Sequence, residues 1–175
     1  MSTDFSALCG RAARSSATVL DNLAQIEAAL SDVQGELGNL PFFARTFVSA
    51  EVKRGTGQDM AAWLQAVSAL IATLREAEAA VGRVRATATV SDADRGIIAQ
   101  AGERAEAERA RLGTLVGYME QAPSKIQTVP TGMLPAERRD ELLGAIARQT
   151  QALRDALAAM PELVERLTAV AGAAA

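Results

Sequence analysis

The sequence predicts an all-α protein, an elongated four-helix bundle or pair of antiparallel coiled-coil hairpins with a short crossover helix. Three observations predict it. Apolar residues make up 49% of the 175 positions while aromatics make up only 3%. Bulky core-filling rings, which bury the most area each, are therefore scarce, and the Ala, Leu, Glu, Arg and Gln that replace them are the composition of long helices. A heptad repeat runs through the first forty residues. Finally, Pro and Gly cluster at a few places and leave long stretches between them without a breaker.

The heptad is the strongest of the three. Its apolar positions are Phe5, Cys9, Ala12, Ser16, Val19, Leu23, Ile26, Leu30, Val33, Leu37 and Leu40, with gaps alternating four and three. A 3.5-residue period marks the seam of a left-handed supercoil, narrower than the apolar face of an ordinary surface helix. The predicted helix spans 4–39, capped by Thr3 or Asp4 and ended by Pro41.

The pattern returns in a helix over about 58–90, through Trp63, Val67, Leu70, Leu74, Ala77, Val81, Val84 and Ala88, after the break at Gly55-Thr56-Gly57. A short turn at Val90-Ser91-Asp92 makes this helix and the next, about 92–121, antiparallel neighbours, with Ser91 or Asp92 as the cap. The 92–121 seam is the thinnest: Ile98, Ala101, Ala105, Glu108, Leu112, Leu115 and Met119. The last helix, about 136–171, reads Leu143, Ile146, Thr150, Leu153, Leu157, Met160, Val164 and Leu167. Pro135 opens it where a first-turn proline is tolerated, Glu137 suits the positive end of its dipole, and Pro161 is expected to kink or restart it. All of this fits one helical domain over 1–175.

Two connections are candidate docking sites. The first, a crossover helix at 42–53, holds three of the four phenylalanines: Phe42, Phe43 and Phe47. Phe43 and Phe47 share a face at four-residue spacing, as a plug for one end of the bundle or as an aromatic anchor for a partner. The second, 123–135, has three prolines and a glycine and reads as a non-helical connector. It carries Ile126, Val129, Met133 and Leu134, to be packed along the bundle or presented as an extended peptide. Gly113 and Gly117, four apart, read as a close helix–helix approach, and Cys9 as an inert thiol on the seam.

The same residues exclude much chemistry. There is no histidine, which removes the commonest general base and the Ser-His and Cys-His pairs. It also removes the Glu-x-x-His pairs of di-metal bundles, and one cysteine cannot make a Cys/His zinc site. Gly55-x-Gly57 lacks the remainder of a phosphate loop. Net charge is −3 with no basic block, so nucleic acid is not an expected partner. The acidic Glu103, Glu106 and Glu108 read as a solvated face paired with arginines. Basic start and apolar run are both missing from the opening residues, and no stretch reads as a transmembrane segment, which together predict a cytoplasmic protein.

The expected function is therefore a non-enzymatic structural or adaptor subunit without cofactors or metals, acting by helix-bundle contact with a protein partner or by self-association. Leu23, Ile26 and Leu30 on the first seam, with Phe42, Phe43, Phe47, Ile126, Val129 and Met133, are the candidate partner-binding residues. An amphipathic binder of lipid or granule surfaces and a helical chaperone or secreted partner protein stand as alternatives.

Overall fold

A computed structural model describes residues 2–39, 42–128, 130–132 and 135–173, the side chains of residues 2, 3, 36, 37, 43 and 44 excepted. Among the described residues there are five helices and no strand: α1 (Ser2–Gly38), α2 (Phe42–Thr56), α3 (Met60–Thr87), α4 (Asp92–Gln127) and α5 (Ala136–Gly172). The all-helical bundle the sequence predicts is the fold observed.

Cross-helix contacts fix the topology. Arg166 at the end of α5 donates to the Arg11 carbonyl and the Ser15 hydroxyl near the start of α1. Ser68 of α3 donates to Glu27 of α1, while Arg83 near the end of α3 reaches Asp94 at the start of α4. Arg95 donates to the Ala171 carbonyl and Arg154 pairs with Glu120, so α4 and α5 run in opposite directions. The four long helices therefore alternate up and down, with α1 and α4 each packed on α3 and α5. The short α3–α4 turn sits at one end. Both longer connections, α2 and 128–135, sit at the other.

One continuous core joins the four. From α1 it takes Cys9, Ala12, Val19, Leu23, Ile26 and Leu30, so the heptad seam is closed inside the chain. Leu23, Ile26 and Leu30, expected as partner-binding residues, are thus part of a core shared with α3 and α5. The expected α3 seam is buried from Trp63 to Val84, whereas Ala88 lies beyond the helix as a C-cap in the left-handed region, φ 55°. On α5 the buried positions past Leu153 are Ala156, Met160, Leu163, Leu167, Val170 and Ala171, leaving Leu157 and Val164 half-buried. A straight helix drifts from a strict seven-residue repeat, and α5 faces two neighbours, so its apolar stripe widens and shifts.

Several ends differ from expectation. α1 begins at Ser2, which puts Asp4 in its first turn rather than at its cap. Ser91 caps α4: its hydroxyl accepts from Asp94 N–H at 3.1 Å and donates to the Asp94 carboxylate at 2.7 Å. These bonds, then the Arg83 contact, hold the Asp94 carboxyl below its usual range. Asp59 caps α3 by accepting from Ala62 N–H. Proline stops neither long helix. α4 continues through Pro123 to Gln127, and α5 through Pro161. Each ring removes one donor, and the packed faces on both sides hold the helix together across the gap.

The glycine pair of α4 is also corrected. A Cβ on Gly113 or Gly117 would meet nothing within 4 Å, so neither marks a close helix approach. The close approach is at Gly55, where a Cβ would lie 2.2 Å from the Tyr118 ring.

Candidate functional site

The end of the bundle that carries α2 is where unsatisfied surface collects. α2 is anchored through its C-terminal half. Val52 is buried, and Gly55 admits the Tyr118 ring of α4 against the helix backbone. Thr56 completes the anchor. Its hydroxyl lies 2.8 Å from the Val52 carbonyl and 2.9 Å from the Gln58 carbonyl, and it accepts the indole N–H of Trp63 at 2.9 Å. Gly57, at φ 79°, then turns the chain into α3 with a conformation that costs glycine little.

A buried polar group braces the same corner. Arg111 makes two bonds to Glu108, at 2.7 and 2.9 Å, reaches Gln58 at 2.8 Å, and stands over the Trp63 ring at 6.0 Å. Glu108 is buried, which corrects its reading as part of a solvated face; Glu106, paired with Arg109, does stay exposed. The core-type position assigned to Glu108 by the repeat is the one it occupies. The charge of the Arg111 guanidinium, one nitrogen of which reaches both carboxylate oxygens, makes that burial tolerable.

The N-terminal half of α2 is open. Phe42 is 64% exposed and Phe47 68% exposed, with the Arg45 guanidinium 5.9 Å from the Phe42 ring centre. Of the other candidates, Leu23, Ile26 and Leu30 are core, and Ile126 is half-buried at the end of α4. The side chain of Phe43, and residues Val129, Met133 and Leu134, lie outside the described residues.

Beneath α2 lies a cavity of about 270 Å³ to which all five helices contribute. Leu30, Val33, Val52, Met60, Leu115 and Ile146 form much of its wall. Only Tyr118, Lys125 and Gln149 among its lining residues carry polar groups. Burial, and then the nearby Glu51 charge, push the Tyr118 hydroxyl pKa up. The lining has the mixture typical of small-ligand sites, mostly apolar with a few polar groups. Sequence reading missed it because its residues come from five separate segments; only Leu30 and Ile126 were singled out, and for other reasons.

Cys9 sits in the core toward the opposite end, where burial raises its thiol pKa against a smaller opposing effect from Arg85. Among the described residues no group of three His, Cys, Asp or Glu side chains is placed to hold a metal, and no helix is long and apolar enough to cross a membrane. No protein-family model matches the chain, and comparison with curated proteins and with solved structures gives no match.

Proposed function

We propose that this chain is a non-enzymatic adaptor or structural subunit of a cytoplasmic assembly, docking a protein partner through the open half of α2. The observation that carries this reading is the pair of exposed rings, Phe42 and Phe47, on a helix whose C-terminal half is anchored by Val52, Gly55 and Thr56. The α1 seam, spent on the chain's own core, is no longer the favoured surface.

Burying one phenylalanine is worth about 1.5–3 kcal/mol. A micromolar contact requires about 8 kcal/mol, so two rings alone fall short and the partner must cover their surroundings. Those surroundings are basic. Arg45, Lys53 and Arg54 are exposed on α2, and its one acid, Glu51, is paired with Arg54 at 2.8 Å. The partner surface this fits is an apolar groove with an acidic rim, whose binding weakens as salt rises.

The test is affinity capture from native extract with the unaltered chain and a Phe42→Ser/Phe47→Ser double variant, helicity of both being checked by circular dichroism. Loss of a specific, salt-sensitive partner from the folded double variant is expected. A partner set that the double variant retains in full would refute docking through α2.

A further inference from the structure

The cavity beneath α2 is independent of the aromatic surface above it, and its chemistry narrows what it can hold. At about 270 Å³ it lies just under the lower end of typical ligand sites, roughly 300 Å³. Apolar cavities well below that size stay dry and take small apolar guests. A volume of this size matches a single slender chain.

Lys125 marks the polar end. Its ammonium stands 5.5 Å from the Tyr118 ring centre, and its only carboxylate contact among the described residues is Glu51 at 3.9 Å. Glu51 is itself held by Arg54 at 2.8 Å. Lys125, Arg54 and Glu51 together leave one positive charge beside an apolar chamber, with Gln149 also in its lining. A charge so placed is available to an incoming anion, which gains a charge-assisted bond while its tail leaves water.

We propose that the cavity binds one medium-length acyl chain ending in a carboxylate, a free fatty acid, with the chain among Leu30, Val52, Leu115 and Ile146 and the head group at Lys125. Each methylene that enters should tighten binding about fourfold, from about 0.8 kcal/mol per buried methylene. The gain should stop when the chamber is full.

The test is calorimetric titration of the full chain with hexanoate, octanoate, decanoate and dodecanoate below micelle-forming concentration, with octanol and decanol as uncharged counterparts. Affinity is expected to climb about fourfold per methylene and then level off. Lys125→Gln should bring the acid down to the affinity of its alcohol and leave the alcohol unchanged. Ala122→Phe and Ala29→Leu, at residues that line the cavity, should abolish binding while helicity is kept; the smaller change serves if the larger one unfolds the chain. No saturable binding of any chain would overturn the proposal. So would binding that persists in both folded cavity-filling variants, acid binding indifferent to Lys125→Gln, or binding confined to a dimeric species in parallel light scattering.

Discussion

The two ends of this bundle are made from the same four long helices and close in different ways. At the end with the short α3–α4 turn, Cys9, Ala12, Val84, Ile98, Ala101, Leu167 and Val170 are all fully buried, at 0% exposure. A shallow groove of about 600 Å³ lies between α4 and α5 on the outside of that end, lined by Ala99, Gly102, Val164 and Thr168, but the core inside it is packed without exposure. At the α2 end the walls are larger, the chamber between them is hollow, and Leu142 stands 40% exposed. Two connections must cross that end and one crosses the other. A tight turn brings its helices together. A fifteen-residue crossover holds them apart and exposes whatever lines the gap.

The sharpest way to break this comparison is to cut the same side chain at both ends. Core Leu→Ala changes cost about 2–5 kcal/mol, and more where the surroundings cannot collapse. Leu167→Ala, in the filled end, should fall in the upper part of that range by urea unfolding. Leu115→Ala, on the cavity wall, should fall in the lower part, because its side chain already lacks neighbours on one side. Equal losses would mean that the α2 end is as well packed as the other.

A second pair concerns glycine. Gly55→Ala drives a methyl into the Tyr118 ring and should destabilise by about 1–3 kcal/mol, the ordinary cost of overpacking. Gly82→Ala, exposed in the C-terminal part of α3 with nothing near its Cβ, should stabilise by about 0.5–1 kcal/mol through helix propensity. Thermal melts of the two should shift in opposite directions. Shifts of the same sign would remove the case for Gly55 as the fitted joint between α2 and α4.

The last test is at a single buried hydroxyl, that of Ser16. Its hydroxyl is buried on the α1 seam without a hydrogen-bond partner among the described residues. Ser16→Ala should raise stability by about 1 kcal/mol, since it removes a polar group that was desolvated for nothing. A loss on denaturant titration would show that the hydroxyl does find a partner in solution.

The packed core was more legible in the sequence than the cavity. Periodicity is a local signal, and it placed Trp63, Leu70, Ile98 and even Glu108 on the buried side because each answers to its own helix. It could not say that α1 would find its partners within the chain, since a narrow seam looks the same whichever chain meets it. It stopped α4 at Pro123, because proline's cost is local while the packing that outweighs it comes from distant residues. The cavity left no mark on any one segment: Leu30, Leu115 and Ile146 each read as ordinary core, and the space between them exists only when three helices meet. The two exposed rings were legible as residues, but not their exposure, since Phe42 and Phe47 suit a plug as well as an anchor.

The bond between Thr56 and the indole of Trp63 has a practical consequence. Trp63 is the only tryptophan in the chain, 1% exposed, and its one polar atom is tied to the last residue of the crossover helix. The molecule thus carries a built-in optical gauge at the joint where its two halves differ. If α2 swings away, water reaches the indole and its emission moves to the red while the rest of the bundle stays intact. Intrinsic fluorescence followed beside circular dichroism would then read the loosening of one helix separately from the melting of the other four.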